Sequence, residues 1–313
     1  MEFSHVPVLL DETISALNVK SDGIYVDCTA GGGGHSFEIA KRLSTGRLVC
    51  IDRDAEAIEA AKSRLMPFYD RTVFVNDNYS NLKNILSNLN IYKVDGITAD
   101  LGVSSHQIDT PERGFSYMAD GPLDMRMGST GITAAEVVNT YSYERLRDIF
   151  YEYGEEKYSS RIAAKIIERR ETAPIETTKE LAVIIGSAYP QNDNSGHPAK
   201  RVFQALRIEV NGEIAGIAPM IRQATEALKP GGRIAIITFH SLEDRAVKQE
   251  FSSLFTGCTC PPEFPVCVCG KKPALKPVSR KPITPCENEL RGNTRSHSAK
   301  LRAAERTENP YVC

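Results

Sequence analysis

Along the first hundred residues the hydrophobic pattern switches repeatedly between two periods. Short, β-branched apolar runs occupy Gly23 to Asp27, Arg47 to Asp52, Thr72 to Asn76 and Val94 to Asp100. Between them, Ser36 to Leu43 and Ala55 to Leu65 carry apolar residues at helical spacing. Unbroken apolar runs of this length predict buried strands, and the 3.6-residue period predicts helices packed on them. The order is β-α-β-α-β-α-β, which predicts a parallel sheet covered on both faces.

After Asp100 the rhythm changes. A Gly/Met/Arg-rich loop, RGFSYMADGPLDMRM (Arg113 to Met127), leads into helical patterns at Ala134 to Tyr141, Tyr143 to Tyr153, Lys157 to Arg170, Thr178 to Ser187 and Ala199 to Val210, with no strand-like run among them. Alternation resumes with a helix over Glu213 to Leu228, a Lys-Pro-Gly-Gly turn and the strand RIAIITFH (Arg233 to His240). An all-helical domain inserted into an α/β domain explains this order, with segments 1–108, 109–212 and 213–313. Near the end, HSAKLRAAER (His297 to Arg306) alternates with period two, as an antiparallel edge strand would. The Pro/Lys-rich stretch Pro261 to Pro285 reads as loop.

With 313 residues, 41% hydrophobic and 25% charged, the chain has the composition of an ordinary globular protein with a substantial core. The N-terminal apolar run is broken by Asp11 and Glu12, so neither a signal peptide nor a membrane span is expected, and a cytoplasmic location follows. A net charge of −2 argues against a protein that coats nucleic acid indiscriminately, but the mean hides an asymmetry. Residues 271 to 306 hold ten Lys or Arg against three acids, so that segment is +7 and the remainder −9. A basic segment of this kind suits either docking on phosphates or a solvated tail.

The chemistry starts at VDCTAGGGGHS (Val26 to Ser36), where four glycines follow a strand. A dinucleotide loop would place a pyrophosphate on those backbone N–H groups, but Asp27 stands in front of them and would repel it. A P-loop needs Gly-Lys-Ser/Thr, which is missing. S-adenosylmethionine carries an ammonium and a sulfonium, which carboxylates favour. The spacing Asp27-x-Thr29-x-Gly31-x-Gly33 approximates the acid-x-Gly-x-Gly-x-Gly loop of class I methyltransferases, with threonine for the first glycine. Asp52, 25 residues after Asp27, closes the second strand and suits two ribose hydroxyls. Asp77, Asn78 or Tyr79 after the third strand would reach the adenine, and Asp100 after the fourth would face the methyl group. One aspartate at a strand end is usually a turn former or a helix cap. Four in succession point to a site along the carboxyl edge of the sheet.

On these residues the chain resembles the RsmH (MraW) family of bacterial methyltransferases, which modify N4 of a cytosine in 16S ribosomal RNA. The matching segments are HVPVLLDE (His5 to Glu12), GGHS (Gly33 to Ser36), IDRD (Ile51 to Asp54), DLGVSSHQID (Asp100 to Asp109), RGFSYMADGPLDMRM, HPAKRVFQALRIEVN (His197 to Asn211), LKPGGRIAIITFHSLEDRAVK (Leu228 to Lys248) and SHSAKLRAAERT (Ser296 to Thr307). The resemblance implies a Rossmann-like class I methyltransferase sheet with an inserted all-helical domain. It also implies contacts to S-adenosylmethionine from Gly33, Gly34, His35, Asp52, Tyr79, Asp100 and Gln107. The implied partner is the 16S RNA of the small ribosomal subunit, with no membrane and with a homodimer left open.

Amino-directed methyltransferases often carry Asp/Asn-Pro-Pro-aromatic after the fourth strand. Here Asp100-Leu101-Gly102-Val103-Ser104-Ser105 takes its place, so Asp100, Ser104 and Ser105 are the candidate acceptors for the target amine. Stacking on the base would come from Phe239-His240, Phe115 or Tyr117. Arg113, Arg126, Lys200, Arg201 and Arg207 are candidate phosphate contacts. The alternatives are a class I methyltransferase acting on another RNA base or on protein, and a non-catalytic RNA binder that keeps the fold.

Eight cysteines complete the inventory. Cys28 and Cys50 lie in strands as buried thiols. Cys258-x-Cys260 and Cys267-x-Cys269 fit one zinc, reduced thiols in an ordered loop, or disulfides formed on preparation. No metal is assigned to the catalytic site.

Overall fold

The computed structural model describes residues 7–190 and 197–311 apart from Thr259, Pro262 and Cys267. The chain divides into two compact units, Met1–Gly102 with Ile214–Cys313, and Val103–Glu213. The first cut falls after Gly102 instead of after Ile108, because Val103 already packs on the helical core.

The first unit opens with α1 (Leu10–Leu17) and continues β1 (Ile24–Asp27), α2 (Gly34–Arg42), β2 (Arg47–Asp52), α3 (Ala55–Arg64), β3 (Thr72–Asn76), α4 (Leu82–Asn88) and β4 (Val94–Asp100). The second unit holds the short α5 (Ser105–Asp109), then α6 (Ala134–Thr140), α7 (Tyr143–Glu152), α8 (Ser159–Arg170), α9 (Thr178–Ser187) and α10 (Ala199–Asn211). The chain then runs through α11 (Glu213–Ala227), β5 (Leu228–Thr238), α12 (Ser241–Phe255), β6 (Leu275–Pro277), α13 (Glu287–Gly292) and β7 (Lys300–Arg306). Among the described residues, no helix is long and apolar enough to cross a membrane.

The strands form one seven-stranded sheet in the order β3-β2-β1-β4-β5-β7-β6. The first five are parallel, and β7 runs antiparallel to both neighbours. Successive side chains point to opposite faces, and the burial follows. Val26, Val49, Ile51, Ile97, Ile234 and Ile236 pack with α4, α11 and α12 through Ile85, Met220 and Phe251. Tyr25, Leu48, Cys50, Ala235 and Ile237 pack with α1, α2 and α3 through Leu17, Ile39 and Ala61. Cys28 and Cys50 are buried thiols that burial pushes far up.

Three sequence expectations change. β7 is not an edge strand, because β6 pairs with it from the outside. β6 lies inside the stretch expected to be loop, and its Pro277 is tolerated because an edge strand has no ladder partner on one side. The Lys-Pro-Gly-Gly turn is taken up into β5, where the register with β4 shifts between Val94 and Gly96.

In the second unit Leu146, Ile149, Phe150, Ile162, Ile166 and Leu206 are fully buried and hold α7, α8 and α10 together. Three of its helices, α6, α7 and α9, start on oxygen caps: Thr133 with Glu136 forms a capping box, and Ser142 and Thr177 each accept a backbone N–H.

Candidate active site

Parallel pairing brings the strand ends to one edge. Asp27 lies beside Cys50 of β2 and Thr98 of β4, Asp52 beside Asn76 of β3, and Asp100 beside Ile237 of β5. With strands ~4.8 Å apart, three carboxylates from β1, β2 and β4 share this edge.

The glycine turn is built around the first of them. Asp27 is 2% exposed; its carboxylate accepts the Ser36 hydroxyl at 2.6 Å and the Thr29 N–H at 3.2 Å. It therefore fixes the loop from inside and influences a ligand by its charge. Gly33, the N-cap of α2, has φ +76°, which a side chain strains. A Cβ on Gly34 would lie 2.2 Å from Pro7 Cγ. Gly34 thus lets the N-terminal segment and the turn approach each other closely, whereas a Cβ on Gly33 would meet Ala61 Cα of α3 at 3.3 Å.

Asp52 is held at both oxygens. Oδ2 accepts the Gly31 N–H at 2.8 Å and Oδ1 the Asp54 N–H at 2.9 Å, so each oxygen keeps a lone pair for a diol. Beyond it, Asp77 and Asn78 serve the turn: Asp77 Oδ1 accepts from Asn78 N and Asn81 Nδ2, and Asn78 caps Ser80. Tyr79 is half-buried, and its ring lies over Gly216 of α11, where a Cβ would sit 3.2 Å from Cε2.

At β4 the Thr29 hydroxyl accepts the Asp100 N–H at 2.6 Å, so the threonine that replaces a glycine anchors the next acid. His35 is buried. Its Nε2 bonds the Val8 carbonyl at 3.1 Å and must carry the proton, which turns Nδ1 toward Asp100 Oδ2 at 3.9 Å. Among the described residues Asp100 Oδ1 is buried without a hydrogen-bond partner, although the side chain as a whole is 30% exposed. Glu243, 1% exposed in the first turn of α12, accepts the Phe239 N–H at 2.8 Å and faces His240 Nε2 at 3.1 Å. Sequence reading did not single out Glu243. Its signal was its position three residues after His240, where a helix N-terminus favours an acid.

The electrostatics follow from this crowding. Burial raises the Asp27 carboxyl to about 6 against its bonds from Ser36 and Thr29. Burial also raises Asp52 to about 6, with Asp54 and Asp27 adding repulsion. Asp100 is pushed well above the usual carboxylate range by burial and by the charges of Asp27 and Glu243. Such an edge is relieved by a positively charged ligand. The Asp52 pair of lone pairs, the unpartnered Asp100 oxygen and the glycine turn fit an adenosine bearing a cationic methionyl group.

The remaining residues assigned from the sequence belong to the second unit, apart from Phe239 and His240 of the first. Ser104 and Gln107 form a capping box: Ser104 Oγ accepts the Gln107 N–H at 3.2 Å, and Gln107 Oε1 accepts the Ser104 N–H at 3.1 Å. Ser105 is the first residue of α5 and is half-buried. Phe115 is buried in the helical core, and Tyr117 stacks on His197 with centroids 4.3 Å apart, while Phe239 packs in the core beneath β5. Of the candidate phosphate contacts, Arg113 donates to the Arg126 and Met127 carbonyls, Arg126 pairs with Asp124, and Arg207 pairs with Glu213. Arg201 donates to the Glu155 carbonyl, and Lys200 is exposed.

The basic C-terminal segment is likewise structural over much of its length and is not a solvated tail. Lys276 pairs with Glu305, Lys300 and Arg302 pair with Asp244, and Arg306 donates to the Thr225 and Ala274 carbonyls.

A sheet of this order with one antiparallel strand, a glycine turn after β1 and an acid closing β2 defines a class I S-adenosylmethionine-dependent methyltransferase. The chain belongs to the MraW methylase family, whose model matches residues 2–307. It is similar to proteins named ribosomal RNA small subunit methyltransferase H. That of Finegoldia magna is 53% identical over 310 residues, covering 98% of this chain and 99% of its own. That of Carboxydothermus hydrogenoformans is 54% identical over 308 residues, covering 98% and 99%. Among solved structures, an rRNA methylase from Streptococcus thermophilus is similar at 12% identity and a TM-score of 0.43, covering 98% of this chain and all of its own.

Proposed function

We propose that this chain transfers the methyl group of S-adenosylmethionine to the exocyclic N4 of a cytosine in the decoding region of 16S ribosomal RNA. The observation that carries this reading is identity of more than half over nearly the whole chain with relatives named for small-subunit ribosomal RNA. When bound, S-adenosylmethionine supplies an electrophilic methyl group on a sulfonium. Asp52 takes the ribose hydroxyls, Tyr79 the adenine, and Gly33, Gly34 and His35 line the turn. Asp100 and Gln107 serve the methionyl end.

The N4 amine is a weak nucleophile because its lone pair is delocalised into the ring. Acceptors around its hydrogens let the nitrogen pyramidalise while it is held in line with the methyl group. Asp100, with an oxygen that no other described residue engages, is the foremost acceptor in this reading. Ser105 and Ser104 are further acceptors, and Ser104 already spends one lone pair in its capping box. The cytosine has to leave its stack to reach such groups.

The test is incubation with methyl-labelled cofactor and either small ribosomal subunits or naked 16S RNA, followed by digestion to nucleosides. Label in N4-methylcytidine with one of the two substrates is expected. Its absence from that nucleoside with both overturns the assignment.

A further inference from the structure

The segment between α12 and β6 leaves and re-enters the fold at the sheet edge opposite the acids. α12 starts after the carboxyl end of β5, and the Ala274 N–H returns to the Leu254 carbonyl near the helix's far end at 2.9 Å. β6 then begins with Leu275 beside Arg306, one step from the level of Arg233 at the start of the paired run of β5.

This segment has little to hold it. Its apolar residues point outward: Phe264 is 48%, Val266 70% and Val268 74% exposed. A stretch without its own core is normally fixed by a covalent or metal staple. Its sulfurs are gathered instead of scattered. The Sγ atoms of Cys258, Cys260 and Cys269 all lie within 4.8 Å of one another. Cys258 and Cys269 are 3.7 Å apart, far beyond the ~2.05 Å of a disulfide. Thiolates ~2.3 Å from one tetrahedral zinc lie about 3.8 Å from each other. The Cys260 N–H points at Cys258 Sγ and the Val268 N–H at Cys260 Sγ, each at 3.4 Å. Backbone donors aimed at sulfur stabilise the thiolate form that a metal requires.

We infer that Cys258, Cys260 and Cys269 bind one zinc ion whose role is to hold this segment, at the opposite edge of the sheet from the cofactor site. A fourth ligand completes the tetrahedron; Cys267, two residues before Cys269, lies outside the described residues. Loading displaces the protons of the three thiols, and no electron changes hands. The ion staples the chain just ahead of Lys271 and Lys272, which line a cleft with Arg222 and Tyr311.

The test measures metal content of the full-length protein purified under reducing conditions. About one zinc per chain is expected, falling to background in the Cys258→Ser/Cys260→Ser/Cys269→Ser variant. Replacement by cobalt gives thiolate charge-transfer bands and the visible spectrum of a tetrahedral site. Removing zinc from the unmutated protein with a chelator accelerates tryptic cleavage after Lys271 by ~10-fold or more, while affinity for S-adenosylmethionine stays the same. The inference is overturned by protein that carries no zinc and gives no tetrahedral cobalt spectrum with its thiols titrating as reduced. It is equally overturned by zinc retained in the triple variant, or by cysteines recovered as disulfides from reduced preparations. Loss of methyl transfer with zinc binding intact would count against the proposed function and not against this site.

Discussion

Asp244 and Glu305 each sit between two cations on the β5–β7 side of the sheet, whereas Asp27, Asp52 and Asp100, at the ends of β1, β2 and β4, have no Lys or Arg partner among the described residues. Asp244 receives Arg302 at 2.6 Å and Lys300 at 3.1 Å; burial raises its carboxyl, and these bonds bring it below the ordinary range. The Lys276 bond lowers Glu305, with Arg233 adding to it. The three edge acids shift the opposite way. A fold that pairs its carboxylates on one side and leaves them unpaired on the other is keeping the second set for a cation that is not part of the chain.

The largest test of this contrast is Asp52→Asn. Removing the charge while keeping the shape should weaken S-adenosylmethionine binding ~100-fold, since two charge-assisted hydrogen bonds are involved. Stability of the ligand-free protein at pH 7 should stay level or rise by up to ~2 kcal/mol. Calorimetry and urea unfolding read the two effects separately. A variant that loses both would make Asp52 a structural residue.

Next in size is the pH dependence. A carboxyl with a raised folded-state value binds more protons folded than unfolded, so its stability contribution is present below about pH 4 and lost as pH rises through about 6. Asp27 and Asp52 should therefore each cost the ligand-free protein up to about 3 kcal/mol by pH 7. Asp244 and Glu305 run the other way, and their contribution disappears as pH falls below the ordinary carboxylate range. Urea midpoints from pH 2 to 8, with and without cofactor, resolve the two limbs; saturating cofactor should flatten the upper one.

Gly34→Ala should cost ~1–3 kcal/mol of stability, because its methyl would have to displace Pro7 from 2.2 Å, and it should weaken cofactor binding as the N-terminal segment shifts. Arg302→Ala is the smallest, at ~1–2 kcal/mol, since Lys300 stays beside Asp244. Its cofactor affinity should remain within ~2-fold of the unmutated protein.

What could be read from the sequence follows the same division. β2, β3 and β4 have the ends expected because buried parallel strands are mostly apolar runs that stop at a polar residue, here Asp52, Asn76 and Asp100. β6 is three residues with a proline, too short to show a period. Alternation in β7 reveals an antiparallel strand but not its neighbours, so its inner position was hidden. The edge acids stood out because each closes a strand. The role of Thr29 depends on a backbone N–H from another segment, which no local pattern displays, whereas Glu243 acts on the N–H of Phe239 four residues before it and had a local signal. Charge counting gave the C-terminal segment its sign but not its partners, Asp244 and Glu305. The Ser104-x-x-Gln107 spacing did carry a capping-box signal, and the structure forms that box.

The central claim is that the unpaired carboxylates are held for a cationic cofactor. Calorimetric titration of S-adenosylmethionine at pH 6 in two buffers of different ionisation enthalpy counts the protons exchanged on binding. Since Asp27 and Asp52 lie near 6 in the ligand-free protein, binding should release up to about one proton and tighten as pH rises from 6 to 8. Binding with no proton released, at an affinity unchanged across that range, would contradict it.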